Sequence, residues 1–298
     1  MRRWVVGVMA VVALGGCGTP AAGPGEEAPP VPVDQRAREV LAGYEQAAGA
    51  AGAAGGGPRF VPAGGLTGYA GGLEEENEDY KAAIGAGRIE AAVVLPAAPR
   101  ETGTVVWDGA AKLMVPLLDA DEALHQVVAE NGGECADCTT VPVTGARLTT
   151  TRISTTRGEA EVPAWEFALK DSAFRITRVA VAPSGAMTYT PPPGTSGGLA
   201  AESVTVSGRT LTVRLTGSRG PASEPCGADY SARVVESSHA VVVIIDERRY
   251  GDGYADDELC TMAGFPRTAT VELAEPLGER AVLDVQQGIP IPLSIQPR

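Results

Sequence analysis

The sequence predicts an α+β protein that is mostly β, with short N-terminal helices followed by two β-rich segments in a sandwich-like arrangement or a mixed sheet. From Thr104 onward, short runs rich in Val, Thr and Ile alternate with Gly, Pro or charged turns, which is typical of strands. The 38 glycines and 23 prolines favour many turns over long helices. Helical spacing of apolar residues is confined to three short stretches, two of which precede Thr104.

Residues 1–16 have the pattern of a secretory signal peptide. Arg2 and Arg3 precede an apolar run that ends at Leu14, and two glycines lead from it to Cys17. The run is shorter than the ~20 residues that a membrane-spanning helix needs. The stretch from Leu14 to Cys17 resembles the lipobox of bacterial lipoproteins. That resemblance implies that Cys17 becomes the first mature residue and carries a diacylglyceryl anchor.

Residues 17–33 are rich in Pro, Gly and Glu and lack apolar periodicity, which predicts a flexible tether between the lipid and the folded part. Residues 34–103 are expected to be helical and loop. A first helix begins at Asp34, a plausible N-cap, and a second begins after Asn77 and stops near Gly85. The remainder of this segment is predicted to be loop.

A second segment, over residues 104–188, is predicted to be α+β and contains Cys135 and Cys138. One helix interrupts its strands, because Asp119 and Glu122 form a capping pattern ahead of an apolar face. A Pro/Gly-rich linker at 189–199 then leads to a β domain over 200–298, which contains Cys226 and Cys260.

Charge and cysteine content exclude some functions. The net charge of −13 argues against nucleic acid as a partner, since phosphate binding needs clustered Lys and Arg. In an extracytoplasmic protein, the four cysteines besides Cys17 predict two disulfides. Three pairings are possible, and we favour Cys135 with Cys138 and Cys226 with Cys260 because each pair lies within one segment. The chain-entropy estimate is about 3.8 kcal/mol for the longer loop and about 1.9 kcal/mol for the shorter.

Three patterns suggest chemistry, each beside a simpler structural interpretation. Cys135 and Cys138 have C-x-x-C spacing, but a redox pair normally precedes a helix, whereas this one precedes a predicted strand. A G-x-S-x-G sequence over 194–198 is followed by Asp229 and His239 in hydrolase order, yet it lies in the linker. The third pattern is an acidic loop with three calcium candidates, whose spacing does not fit an EF-hand and which a solvated loop also explains: Asp252, Asp256 and Asp257.

Trp107 and Trp165 each occupy a strand-like run beside an acid and are candidates for core anchors or for a ligand platform. Several phrases, including Cys135 to Leu148 and the run ending at Pro290, resemble secreted lipoproteins of high-GC actinobacteria. That resemblance implies a location and supplies no catalytic residues. We therefore expect a lipid-anchored protein on the extracytoplasmic face of the cell membrane, binding an envelope protein or a small molecule without a cofactor. The alternative is an extracytoplasmic enzyme, either a thiol–disulfide exchanger acting through the C-x-x-C pair or a hydrolase.

Overall fold

The computed structural model describes residues 31–53, 59–73, 76–100, 102–109, 111–133, 135, 137–187, 189–194, 198–251, 260–261 and 263–295. Cys17, the predicted signal peptide and most of the tether lie outside these residues, as do the calcium candidates. The expected fold class, α+β and mostly β, is confirmed. The described helices are α1 Val33–Ala53, α2 Glu78–Gly85 and α3 Ala120–Glu130.

Seven strands form one mixed sheet: β1 Thr67–Ala70, β2 Ile89–Ala91, β3 Gly103–Trp107, β4 Lys112–Val115, β5 Val141–Thr155, β6 Gly158–Leu169 and β7 Arg175–Val179. The central strand is β6. The longer β5 pairs with one edge of β6 along the whole of β6, while β7 and β3 share the other edge. Beyond these strands, β2 pairs with β5, β1 with β7 and β4 with β3.

Each face of the seven-stranded sheet carries a buried apolar cluster. On one face, α2 and α3 bury apolar side chains such as Ile84 and Leu124 against Phe167 of β6. On the other face, Phe60 packs with Val162 and other strand residues. Along β6, Ala160 and Val162 point to the face with Phe60, whereas Trp165 and Phe167 point to the helix-covered face, because successive side chains of a strand point to opposite faces.

The second half of the chain forms a β-sandwich. Its strands are β8 Ser203–Ser207, β9 Thr210–Gly217, β10 Ala228–Glu236, β11 Ala240–Arg249, β12 Phe265–Glu272, β13 Ala281–Asp284 and β14 Leu293–Ile295. A four-stranded sheet in the order β12-β9-β8-β14 packs against a three-stranded sheet in the order β10-β11-β13, with a shared apolar core.

Helix α1 packs on the sandwich and not on the seven-stranded sheet that follows it in the chain. Its buried residues Ala37, Val40 and Tyr44 contact the outer face of β11, including Val242 and Ile244. The inner face of β11 forms part of the sandwich core. Because β11 is buried on both faces, its first six residues are all apolar, whereas a half-exposed strand would alternate.

The Pro-rich segment after residue 188 is bound to α1. Arg36, 1% exposed, donates from Nη1 to the carbonyls of Pro192 (2.8 Å) and Pro193 (3.1 Å), and from Nε to that of Val285 (3.4 Å). The hydroxyl of Tyr189 donates to the carbonyl of Val40. The described part of the predicted linker therefore packs against the body of the protein.

The expectation of helix and loop over residues 34–103 is incomplete, because β1 and β2 also lie there. These strands have four and three residues, too few for an alternating pattern to emerge from sequence. Among the described residues, no helix combines the length and apolarity that crossing a bilayer requires.

Candidate functional site

A cleft of about 550 Å³, here called the junction cleft, lies where the seven-stranded sheet meets the sandwich. The sheet contributes Trp107 and Arg157. The sandwich contributes mainly apolar side chains and one carboxylate: Val206, Leu277, Glu279, Leu293 and Ile295. Apolar walls with few polar groups are typical of small-molecule sites of this size.

Trp107 is held rigidly at the base of the cleft. Its indole N–H donates to the hydroxyl of Thr155 at 2.9 Å, and the Thr155 hydroxyl also donates to the carbonyl of Gly158. The same hydroxyl accepts from the backbone N–H of Arg157. Gly158 has a φ of 99°, which only glycine adopts readily, so the tight β5–β6 turn requires it. One buried hydroxyl thus fixes both Trp107 and the turn that carries Arg157.

The guanidinium of Arg157 is the polar group of the cleft. It lies over the Trp107 ring, 4.7 Å from the centroid, and its Nη2 is 3.4 Å from a carboxylate oxygen of Glu279. The Glu279 side chain is 86% exposed, so solvent screens this ion pair, whose contribution to stability is at most about 1 kcal/mol. A bound anion can therefore replace Glu279 on Arg157 at low cost.

The turn that carries Glu279 is also rigid. Arg280 donates to the backbone carbonyls of Glu275, Pro276 and Leu277 and to the carboxylate of Glu236 at 2.7 Å. Burial acts to raise the pKa of Glu236, but hydrogen bonds from the Ala274 N–H and Arg280 outweigh it, and the pKa is lowered. Glu236 therefore stays ionised and fixes Arg280.

A second cavity, of about 350 Å³ and here called the basic chamber, shares Arg157 and Glu279 with the junction cleft. Tyr44 of α1 also lines it. Burial, followed by the nearby Tyr189 and Glu45, raises the pKa of Tyr44 to about 12, so its phenol stays protonated at neutral pH. The other nitrogen-bearing side chains that line the basic chamber are Arg59, His239 and Arg280.

His239 is engaged by α1. Its Nδ1 lies 2.6 Å from Glu45, whose other oxygen accepts from the His239 backbone N–H and the Ser237 hydroxyl. Burial opposes ionisation of Glu45, but these hydrogen bonds prevail and lower its pKa. The Ser238 hydroxyl, 3.1 Å away, approaches the same ring nitrogen. A serine-hydrolase relay needs the serine and the acid on opposite nitrogens, so this cluster is not one.

Asp229 and His239, the described members of the hydrolase pattern, are each bound to other residues. Asp229 pairs with Arg248 and accepts from the backbone N–H of Ala222, and these contacts lower its pKa. Ser196 lies outside the described residues. The other histidine, His125, is exposed and lies 3.5 Å from Asp121 on the outer face of α3.

The favoured disulfide pairing is confirmed. Cys135 bonds Cys138 and Cys226 bonds Cys260, each with a Cα–Cα distance of 5.6 Å. The first pair lies between the end of α3 and the start of β5, so it does not occupy the start of a helix, where thiolates are stabilised. A cavity of about 410 Å³ beside the following residues, Thr139 and Thr140, is lined mostly by polar and charged groups.

Of the tryptophans named from sequence, the structure brings one to the junction cleft. Trp165 is buried in the core beneath α3, with its N–H donating to the carbonyl of Leu118 at 2.7 Å. Sequence reasoning missed Arg157, Glu279 and Arg59. The Gly-bearing turns that carry the first two are visible in the sequence, but their approach depends on how the sheet meets the sandwich.

Within the described residues, no group of three or more His, Cys, Asp or Glu side chains is arranged to hold a metal ion. No protein-family model, curated protein or solved structure matches this chain.

Proposed function

We propose that this protein is a lipid-anchored cell-envelope protein whose folded part binds a small, largely apolar molecule in the junction cleft, without catalysing a reaction. The anchor is supported by the sequence alone, through the lipobox-like residues that end at Cys17. A tether over residues 17–33 would hold the folded part away from the membrane surface. The protein would then present its cleft to ligands on the extracytoplasmic side.

The observation that carries the binding proposal is the composition of the cleft. Its volume of about 550 Å³ is within the range of small-molecule sites, and most of its lining is Val, Leu, Ile, Pro or Gly. Thr155 holds the Trp107 indole and the backbone of Arg157 in place before any ligand arrives. A preformed site loses little conformational entropy on binding, which favours affinity.

The same lining argues against catalysis in this cleft. Aliphatic side chains cannot transfer protons, and a guanidinium stays protonated in proteins, so Arg157 can bind an anion but not act as a base. Glu279 is the only carboxylate among the described residues that line the cleft, and solvent surrounds it. Binding, and not bond cleavage, is what this set of groups can do.

Two single-tryptophan proteins test the proposal with 1-decanol as a neutral apolar probe. A chain that begins at Gly18 keeps every described residue and contains Trp107 and Trp165 only. In W165F the remaining Trp107 should change its emission as decanol is added, in a saturable way. In W107F, the matched control, the buried Trp165 should not respond.

An independent readout protects the test from effects of the substitutions on folding. Decanol should raise the melting temperature of the unsubstituted chain, because a ligand that binds only the folded state stabilises it. Equal responses from both single-tryptophan proteins, or no response together with no thermal shift, would contradict the proposal.

A further inference from the structure

The basic chamber concentrates positive charge in an acidic protein. The chain has a net charge of −13, yet three guanidinium groups line this cavity beside the His239 imidazole, against one carboxylate, Glu279, among its described lining residues. The four groups come from separate parts of the chain: Arg59, Arg157, His239 and Arg280. Such a cavity attracts anions, because low-dielectric walls strengthen the field of the charges that line them.

Two of these four groups already bind carboxylates. Arg280 binds Glu236 and three backbone carbonyls, and His239 binds Glu45. Both groups therefore fix the walls of the basic chamber and contribute little net charge to it. The charge available to a ligand must come from the other two guanidiniums.

Arg59 is bound only through backbone carbonyls. Its Nε donates to Ala51 at 3.2 Å and its Nη1 to Ser184 at 3.1 Å. Across the described ranges, no carboxylate lies within 4.0 Å of its guanidinium. Backbone carbonyls hold Arg59 in place but do not neutralise it, so its charge is left for an anion.

Arg157 joins the basic chamber to the junction cleft, because it lines both cavities. Its partner Glu279 is largely solvent-exposed and can turn toward water when another anion takes its place. A molecule whose apolar part lies against Trp107 would therefore meet Arg157 at its polar end. A ligand that displaces Glu279 would span the two cavities, with its charged end beside Arg157.

We infer that the ligand is an amphipathic acid: its carboxylate or phosphate head lies in the basic chamber near Arg59 and Arg157, and its apolar body lies in the junction cleft. The inference rests on the proposed function and adds the chemical class of the ligand. The guanidinium fork matches the two oxygens of a carboxylate or phosphate, which gives these heads an advantage over a neutral hydroxyl.

Decanoate, decyl phosphate and 1-decanol separate the contribution of the head from that of the apolar body. Isothermal titration of the chain from Gly18 at low salt should show at least one acid binding about tenfold more tightly than decanol, and the stronger acid identifies the head. The R59Q substitution should weaken that acid about tenfold and leave decanol unchanged. Raising the salt to 0.5 M should reduce the advantage of the acid.

R152Q is the matched control. Arg152 is exposed and paired with Asp108 on the outer edge of the seven-stranded sheet, so its loss should change no affinity. Equal binding of the acids and decanol, or an R59Q effect that is the same for all three probes, would overturn the inference while leaving the proposed function intact. Failure of all three probes would overturn the proposed function itself. Melting temperatures of R59Q and R152Q that match the unsubstituted chain establish that both variants fold.

Discussion

Arg36 provides the strongest test of how the fold is held together. The side chain is 1% exposed and makes two short hydrogen bonds, to the carbonyls of Pro192 and Pro193, and a longer one to that of Val285. An R36A substitution removes the donor and leaves these carbonyls without a partner. It also opens a cavity where the alkyl stem packed. The helix, the Pro-rich segment and the end of β13 would all lose a common contact.

The expected loss can be estimated from these contacts. A hydrogen bond from a charged donor contributes about 1.5–3 kcal/mol, so the two short, partly buried bonds together account for roughly 3 kcal/mol. Loss of the stem adds about 1 kcal/mol, and relief of a desolvated charge offsets part of the sum. We expect a net loss of about 3–4 kcal/mol. With a urea slope of about 3 kcal/mol/M, the unfolding midpoint should fall by about 1 M.

The loss should also depend on pH. Burial raises the pKa of Asp284, while the charge of Arg36 acts to lower it. Without Arg36 the folded-state pKa of Asp284 rises further above its unfolded value. Between the unfolded-state and folded-state pKa values of Asp284, the folded state holds a proton that the unfolded state releases. Stability therefore falls as pH rises from the first value to the second. The difference in the free energy of unfolding between R36A and the unsubstituted chain should therefore be larger at pH 8 than at pH 4.

Urea unfolding followed by tryptophan fluorescence measures both effects. R38A is the control, because Arg38 lies on the same helix but is exposed, and its loss should change stability by at most about 0.5 kcal/mol. If the midpoints of R36A and R38A coincide, the reasoning about Arg36 is wrong.

Two further predictions concern the anchor and the contact between α1 and the β10–β11 turn. A C17S substitution should move the protein from the membrane fraction to the soluble fraction, and retention in the membrane would contradict lipidation. E45Q should cost about 1–2 kcal/mol at pH 7. Because the pKa of Glu45 is lowered on folding, this contribution is present above about pH 4.5 and is lost as pH falls through the folded-state pKa. The urea midpoints of E45Q and the unsubstituted chain should therefore approach each other as pH is lowered below 4.5, and E39Q, on the same helix, should show neither effect.

The helices could be predicted because their determinants are local. Helix α2 begins directly after Asn77 as expected, and the Asn77 side chain caps it by accepting from the backbone N–H of Tyr80 at 2.9 Å. Asp119 occupies the N-cap position of α3, but its side chain accepts from the N–H of Ala98 and does not cap the helix. The start of α3 was predictable from the local sequence, whereas the hydrogen-bond partner of Asp119 lies in a loop elsewhere in the chain.

The strand-rich composition and the apolar run that begins β11 were equally visible in the sequence. What the sequence could not reveal is that this run is buried by α1 on one face and by the sandwich core on the other. The candidate site was hidden for the same reason. Arg59, Arg157 and Glu279 lie far apart in the chain, and no spacing rule connects them. Their approach is a product of tertiary packing, which local propensity does not record.

The placement of α1 also has a consequence for the order of folding. This helix is synthesised before the strands that cover it, and its contact between Glu45 and His239 spans 194 residues. Its apolar face must stay uncovered until β11 and β13 exist. Contacts of such long range slow folding and expose apolar surface meanwhile. A chain that ends before β11 should therefore leave α1 undocked and should be prone to aggregate. Helix α1 is synthesised early, but its packing against the sheet is among the last contacts to form.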